Sequence, residues 1–248
     1  MTQIQQAIAP ELAKLNECIG RELQSSNALM NQVVDNYLKS KGKQIRPIMV
    51  ILSAKMYGGT NEHVINAAAA VELLHNASLI HDDVVDDSKT RRSRPTVNAV
   101  WDNHIAVLVG DFFVSTSLHL AISTGDIRII DSLSRLGRLL SLGEIDQIYN
   151  ARYHRVEEEA YFEVITRKTA SLFMSCVEMG AYAAGASDHE VKRIRQFALL
   201  LGQAFQIKDD IFDYFIDTAV GKPTGNDLRE GKITLPLIHA LTSSHPKA

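Results

Sequence analysis

Residues 61–87 read NEHVINAAAAVELLHNASLIHDDVVDD. Helical spacing over about Asn61–Asp87 predicts one long, strongly apolar helix. The stretch ends in four aspartates within six positions, Asp82, Asp83, Asp86 and Asp87. It therefore predicts an apolar helix that carries a dense acidic cluster at its C-terminal end.

Helical spacing continues through the rest of the 248 residues, which include only six prolines. We predict a single all-α domain over residues 1–248, with a glycine-rich loop from Gly221 to Gly231. Gly185 is a predicted C-cap and Ser187 a predicted N-cap. The predicted helices are about Pro10–Lys39 with a break near Ser25–Asn27, Arg46–Tyr57, Asn61–Asp87, Thr96–Thr124, Ile127–Asn150, Glu157–Ala184, Ser187–Asp217 and Ile233–Leu241.

Composition argues against several classes of protein. The net charge of −3 provides no basic field for nucleic acid. Cys18 and Cys176 fit no metal-ligand spacing, so we expect buried thiols in a reduced, cytoplasmic protein. The N-terminus lacks the pattern of a signal peptide. The apolar stretch Ile105–Val114 is interrupted by Asp111 and is too short to span a bilayer, so we expect no transmembrane segment.

The acidic cluster of residues 82–87 predicts a metal site. Asp82 and Asp86 lie one turn apart on one helical face, with Asp83 beside them. Like charges at this spacing repel, and the C-terminal end of the helix dipole disfavours them further. A divalent cation would remove this cost. Mg²⁺ prefers oxygen ligands, keeps several waters and commonly bridges one or two carboxylates to a phosphate.

A second cluster, Asp209-Asp210-Ile211-Phe212-Asp213, follows the apolar run Phe197–Ile207. One DDxxD pattern alone is equally well explained by a solvated acidic surface. Two copies, each ending an apolar helix, favour two helices that face each other across a cavity. Such helices would hold several Mg²⁺ ions around one diphosphate.

Basic side chains recur beside these motifs. Arginine binds phosphate oxygens bidentately, whereas lysine acts as a point charge. An isolated basic pair is usually solvated surface, but recurrence next to acidic motifs favours phosphate sites with and without metal. The candidates are Arg91 and Arg92, Lys43 and Arg46 in the element Gly42–Pro47, Lys168 in a helix, and Lys222 and Lys232 in and after the glycine-rich loop.

Together these motifs resemble the trans-type polyprenyl diphosphate synthase family. Five motifs follow the family's order, which makes the resemblance specific: GKQIRP (42–47), HDDVVDDSKTRRSRP (81–95), RKTASLF (167–173), FQIKDDIFDYF (205–215) and GKPTGNDLREGKITLPLI (221–238). The resemblance implies a bundle of long antiparallel helices around a deep central cavity, usually homodimeric. Family members usually continue into further C-terminal helices that close the bundle, so this chain is expected to lack them.

The resemblance also implies a Mg²⁺-dependent head-to-tail condensation of an allylic diphosphate with isopentenyl diphosphate. Pyrophosphate is released, and in the family it is thought to take the final proton. His75 and His81 are expected to be hydrogen-bonding partners rather than bases. The implied Mg²⁺ ligands are Asp82, Asp83, Asp86, Asp209 and Asp213, with Asp210 in a supporting role. The implied contacts are Arg91, Lys168, Lys222 and Lys232 for the allylic diphosphate, Lys43, Arg46, His75 and Arg92 for isopentenyl diphosphate, and Thr169 and Gln206 for the allylic cation.

Product length is expected to depend on the helical turn before Asp82. Short-chain family members tend to carry a bulky aromatic there, whereas Ala77 and Ser78 are small, which predicts a long product. The alternatives are that these residues simply allow close helix packing, or that the enzyme is a short-chain farnesyl or geranylgeranyl diphosphate synthase. A floor could also be formed by Phe112, Phe113, Leu118 or Leu120. A long product would suit a quinone side chain and would imply transient membrane contact at its release.

Two other classes of protein share some of these motifs. A class I terpene cyclase would not need Lys43, Arg46 and Arg92 as a second diphosphate site. A non-catalytic partner subunit would usually lack aspartates from one motif, and both motifs are complete here. The chain departs from the family at Ser93, where the family usually has glycine.

Overall fold

The computed structural model describes residues 2–39, 42–91, 94–214, 225–229 and 231–243. Within these ranges the chain forms thirteen α-helices, one π-helical turn and a two-stranded hairpin, and the predicted all-α class is confirmed. The helices are α1 Gln3–Ala7, α2 Ala9–Glu22, α3 Ala28–Leu38, α4 Ile45–Met56, α5 Glu62–Val85, α6 Val97–Val100, α7 Asn103–Ile122, α8 Ile127–Arg152, α9 Glu158–Ile165, α10 Ser171–Ala183, α11 Asp188–Asp213, α12 Asn226–Arg229 and α13 Leu235–Thr242. The π-helical turn is Thr166–Ala170, and the strands are β1 Thr90–Arg91 and β2 Arg94–Pro95.

The chain divides into two compact units. The first comprises Met1–Ser134 and Ser175–Lys192, and the second comprises Arg135–Met174 and Arg193–Ala248. The boundaries between them fall within α8, α10 and α11. That residues 1–248 form one domain stays a prediction.

Helix α5 forms the centre of the first unit. Its four consecutive alanines, Ala67–Ala70, are fully buried, and their small side chains let α2, α4 and α7 pack closely against it. The Ser117 hydroxyl of α7 donates to the Ala70 carbonyl oxygen at 2.7 Å. At the N-terminus the Asn61 side chain accepts the Val64 N–H at 2.9 Å. The helix predicted over about Asn61–Asp87 is therefore confirmed, and the structure shows that it is largely buried.

The predicted helix Thr96–Thr124 is interrupted, and this part of the prediction was wrong. Helix α6 ends at Val100 and α7 begins at Asn103. The Asp102 side chain accepts the Ile105 N–H at 2.8 Å. Aspartate is a strong N-cap, so it starts a new helix here. The hairpin of β1 and β2 was not predicted either.

Helix α7 is the one helix in the described ranges that is long and apolar enough to cross a membrane by length and composition. In its most apolar window, 44% of the residues are buried inside the protein. Core helices of soluble proteins have the same composition, so this finding is weak evidence for a membrane span.

The π-helical turn of the second unit interrupts the helix predicted over Glu157–Ala184. Glycines of two neighbouring helices leave room for it. A Cβ atom on Gly143 of α8 would lie 2.7 Å from the Cγ of Lys168, and one on Gly202 of α11 would lie 2.5 Å from the Cα of Ala170. A π-turn inserts an extra residue into the helical repeat and often marks a functional site. Lys168 and Thr169 both lie in this turn.

Two smaller predictions are confirmed. Gly185 follows α10 with φ +90°, and at the start of α11 the Ser187 hydroxyl oxygen accepts the Glu190 N–H at 3.5 Å while Glu190 Oε2 accepts the Ser187 N–H at 2.9 Å. Cys18 and Cys176 are both free and buried. Burial raises the pKa of Cys176 to about 12, so this thiol fills the core in its neutral form.

Helix α10 passes α4 at Gly180 with no room for a side chain. A Cβ atom there would lie 2.2 Å from the Val50 carbonyl oxygen. We predict that Gly180→Ala lowers the free energy of unfolding by about 1–3 kcal/mol. The matched control is Gly20→Ala in α2, where nothing lies within 4 Å and alanine should stabilise the helix by about 0.5–1 kcal/mol. Urea denaturation measures both, and equal stability of the two variants would contradict the packing.

Candidate active site

The first acidic motif lies at the C-terminal end of α5. The Asp86 N–H donates to the Asp82 carbonyl oxygen at 2.8 Å, so these two residues are one helical turn apart and share a face. Asp82 is half-buried and Asp86 is exposed, whereas Asp83 is only 5% exposed. Of the three predicted ligands in this motif, Asp82 and Asp86 are therefore the ones that a hydrated cation can reach.

Asp83 forms an ion pair inside the motif. Arg91 Nε donates to Asp83 Oδ1 at 2.8 Å. Burial raises the pKa of Asp83, Arg91 opposes this shift, and the charge of Asp86 adds to it. The structure thus pairs a predicted metal ligand with a predicted diphosphate contact.

Asn98 holds the loop that follows this motif, and the sequence analysis did not single it out. Its buried Nδ2 donates to the carbonyl oxygens of Asp83 at 3.1 Å and Ser88 at 3.2 Å. The Thr96 hydroxyl also donates to the Ser88 carbonyl oxygen, at 2.8 Å. A lone amide in an apolar helical segment was the available signal.

The two histidines of α5 have different surroundings. His81 packs against Gly110, where a Cβ atom would lie 2.1 Å from its Nε2. The Nε2 of His81 is 3.2 Å from the Val107 carbonyl oxygen, to which the ring N–H can donate. This geometry supports a hydrogen-bonding role for His81. His75 is buried.

The basic element Gly42–Pro47 runs into α4 through a residue in the left-handed conformation. Gln44 has φ +51°, and its Nε2 donates to Asn16 Oδ1 at 3.1 Å. Lys43 is exposed and Arg46 is half-buried. Arg92 and Lys222, which were also predicted to bind diphosphates, lie outside the described residues.

The second acidic motif ends α11 in the second unit. Asp209 is exposed, whereas Asp210 is only 5% exposed. Asp213 Oδ2 accepts the Asp227 N–H at 2.9 Å, and the Asp213 carbonyl oxygen accepts the Gly225 N–H at 2.8 Å. Asp213 therefore anchors the N-terminal end of α12.

Asp210 joins a group of hydrogen-bonded side chains. Tyr161 donates to its Oδ2 and Gln206 Nε2 donates to its Oδ1, both at 2.7 Å. Thr169 donates to Gln206 Oε1 at 2.6 Å. Burial raises the pKa of Asp210, and the bonds from Tyr161 and Gln206 oppose this shift. Sequence reasoning missed Tyr161, which reads as an ordinary core aromatic.

Two predicted site lysines of the second unit, Lys168 and Lys232, are held by acidic and polar groups. Lys168 forms an ion pair with Glu144 and donates to Gln147 Oε1 at 3.1 Å. Lys232 Nζ lies 3.7 Å from Asp227 Oδ1. Glu144 and Gln147 were not predicted as site residues, because only the structure brings α8 beside the π-turn.

Each unit contains a cavity that is lined in part by predicted site residues. In the second unit a cavity of about 160 Å³ is lined by Lys168, Thr169, Gln206, Asp210 and Lys232, among other residues. In the first unit a cavity of about 120 Å³ is lined by residues including Asp83 and Arg91. Another cavity in the first unit, of about 400 Å³ between α2 and the start of α5, includes none of the predicted residues.

The residues proposed to set product length belong to the first unit. Ala77 and Phe113 are fully buried, and Phe113 packs edge-on against Tyr37 with ring centroids 5.3 Å apart. The Ser78 hydroxyl donates to the His75 carbonyl oxygen at 2.9 Å. Leu118 is 40% exposed. The small side chain of Ala77 therefore allows close helix packing, whatever its effect on product length.

The motif carboxylates suit a metal that requires few protein ligands. Among the described residues, no three Asp, Glu, His or Cys side chains are grouped to hold an ion by themselves. Mg²⁺ commonly takes one or two carboxylates and completes its shell with water and phosphate oxygens. Asp82, Asp86 and Asp209 fit this requirement at their helix ends.

Comparison with known proteins agrees with the motifs. Residues 27–248 match the family model described as polyprenyl synthetase. Octaprenyl diphosphate synthase of Escherichia coli K12 is 36% identical, over 100% of this chain and 77% of that protein. The crystal structure of a decaprenyl diphosphate synthase from Rhodobacter capsulatus superimposes with a TM-score of 0.91 at 37% identity, over 98% of this chain and 76% of that one.

A second solved structure is similarly close. It is a polyprenyl synthase from Caulobacter crescentus CB15, complexed with calcium and isoprenyl diphosphate. The TM-score is 0.90 at 36% identity, over 98% of this chain and 75% of that one. The matches extend over nearly the whole chain and include all five motifs, so the chain belongs to the polyprenyl synthetase family.

Proposed function

We propose that this chain is a trans-prenyltransferase that condenses isopentenyl diphosphate head-to-tail with an allylic diphosphate. The product is a long-chain all-trans polyprenyl diphosphate. The observation that carries the proposal is the cavity of the second unit, where Lys168 and Lys232 lie with the hydroxyl of Thr169 and the amide of Gln206. The names of the octaprenyl and decaprenyl synthases support the long product.

Asp82, Asp86 and Asp209 are the proposed principal Mg²⁺ ligands. When bound, Mg²⁺ supplies Lewis-acid neutralisation of the diphosphate charge. Asp83 and Asp213 already accept protein donors, so each would offer a metal its remaining lone pairs.

The chain's own cations bind the leaving diphosphate. Arg91, Lys168 and Lys232 stabilise the negative charge that grows as the carbon–oxygen bond breaks. Glu144 and Asp227 hold the two lysines in place before substrate arrives. Thr169 and Gln206 stabilise the allylic cation with their oxygen atoms.

A second group of residues positions the carbon nucleophile. Lys43, Arg46, His75 and Arg92 hold isopentenyl diphosphate, which makes the condensation effectively intramolecular. Exclusion of water from an apolar pocket protects the cation until the new carbon–carbon bond forms. The released pyrophosphate then accepts the proton.

A homodimer is part of the same proposal, together with transient membrane contact at product release. Helix α7 supports the dimer, since Leu108 and Ile122 are 60% and 58% exposed. These exposed apolar side chains are available to pack against a second copy of the chain.

Incubation with radiolabelled isopentenyl diphosphate, farnesyl diphosphate and Mg²⁺, followed by chromatography, tests the reaction. We predict label in a product longer than geranylgeranyl diphosphate, and none when a chelator removes the metal. A product that stops at geranylgeranyl diphosphate would replace the long-chain assignment with a short-chain one. No incorporation at all would contradict the proposal.

Loss of a proposed metal ligand should abolish turnover without unfolding the chain. We predict that Asp82→Ala and Asp209→Ala each lower kcat by about 100-fold or more, because less of the leaving-group charge is neutralised. Asp35→Ala on the exposed surface of α3 is the control and should keep wild-type turnover. Wild-type rates in either motif variant would remove that aspartate from the site.

The position of Lys168 depends on the absence of a side chain at Gly143. Gly143→Ala should push the π-turn away from α8 and lower kcat by about tenfold, which corresponds to the loss of one charge-assisted contact. Gly137→Ala is the matched control in the same helix, because nothing lies within 4 Å of its Cβ position. Equal kcat values for the two variants would show that close approach of α8 does not position Lys168.

A further inference from the structure

Four side chains of the second unit form a continuous hydrogen-bond chain. Tyr161 donates to Asp210 at 2.7 Å, and Gln206 donates to the other oxygen of the same carboxylate at 2.7 Å. Thr169 donates to the Gln206 carbonyl oxygen at 2.6 Å. All four residues line the cavity that also contains Lys168.

The Asp210 carboxylate fixes the direction of these hydrogen bonds. An ionised carboxylate can only accept hydrogen bonds, so the amide NH₂ of Gln206 must face Asp210. The carbonyl oxygen of Gln206 then faces Thr169, which has to donate its only hydroxyl proton. To any third group, the Thr169 oxygen can therefore offer only lone pairs.

A neighbouring pair shows that threonine and glutamine do not set this direction by themselves. One turn earlier on α11, Gln203 Nε2 donates to the Thr166 hydroxyl at 2.9 Å, which is the opposite direction. Gln206 is followed four residues later by Asp210, whereas Gln203 is followed at that spacing by Ile207. The difference between the two pairs is the carboxylate.

Tyr161 holds the buried end of this series of hydrogen bonds in place. Its ring is 5% exposed and packs with Ile165 and Ile238, and it meets Phe162 edge-on at a centroid distance of 5.5 Å. Burial and the bond to Asp210 both raise the pKa of Tyr161. The phenol therefore keeps its proton and remains a donor to Asp210.

We propose that Tyr161 is a positioning residue that acts through Asp210 and Gln206 to keep Thr169 an acceptor-only hydroxyl in the cavity. This inference rests on the proposed function. A hydroxyl that was free to rotate would donate its proton to the leaving diphosphate. Held in this chain, its oxygen instead stabilises the positive charge that develops on the allylic carbons.

Binding of a cation mimic tests the inference without turnover. The probe is a small tertiary ammonium ion, titrated calorimetrically in the presence of Mg²⁺ and inorganic pyrophosphate. Tyr161→Phe should weaken ammonium binding by about tenfold, because Asp210 loses the donor that holds its carboxylate in position against Gln206. Binding of pyrophosphate with Mg²⁺ should change by less than about twofold. Unchanged ammonium binding would overturn the proposal.

Turnover provides a second test through two double-mutant cycles. Tyr161→Phe should lower kcat by about tenfold and leave KM for both substrates within about twofold. When Tyr161→Phe is combined with Thr169→Val, kcat should fall no further than in Thr169→Val alone, because both changes break the same series of hydrogen bonds. When Tyr161→Phe is combined with Thr166→Val, the losses of kcat in the two single variants should multiply, because Thr166 bonds to Gln203 and lies outside this series. Multiplicative effects with Thr169→Val would contradict the proposal.

A second variant and a control complete the design. Asp210→Asn keeps the shape of the carboxylate but can donate, so it should also lose ammonium binding even where Tyr161→Phe folds poorly. Tyr153→Phe, at a tyrosine that is 61% exposed, should match the wild type. A wild type that does not condense the substrates would contradict the proposed function, and ammonium binding would still decide the inference.

Discussion

Electrostatic repulsion among aspartates at helix ends is the constraint on which the proposed site depends. Asp82 and Asp86 lie one turn apart where the α5 dipole also disfavours negative charge, and Asp209 and Asp213 lie one turn apart at the end of α11. A sequence selected only for stability would avoid this arrangement. Divalent ions shared with a diphosphate would turn the repulsion into binding energy, and the exposure of Asp86 and Asp209 leaves them accessible to hydrated Mg²⁺.

Each of the two acidic motifs contains one buried aspartate and at least one that is more exposed. In each, the second aspartate is 5% exposed and bonded to the protein: Asp83 to Arg91, and Asp210 to Tyr161 and Gln206. Consecutive helical residues point about 100° apart, so one faces inward when its neighbour faces out. The buried aspartates thus organise protein donors, while their more exposed neighbours are accessible to a hydrated metal ion.

The sequence predicted the features that depend on local pattern. The apolar run of α5, its acidic end and the break around Gly185 and Ser187 needed only periodicity and capping rules. The π-turn could not be predicted in this way, because it depends on space left by Gly143 and Gly202 on other helices. The roles of Tyr161 and Glu144 likewise appear only when distant segments pack together.

Titration of the protein with inorganic pyrophosphate, with and without Mg²⁺, tests the central claim most directly. If the acidic helix ends bind diphosphate through shared divalent ions, pyrophosphate should bind tightly with Mg²⁺ and negligibly when a chelator is present. Asp82→Asn and Asp209→Asn should each weaken the Mg²⁺-dependent binding. Equal affinity with and without the metal would contradict the account, because the cationic side chains alone would then hold the anion.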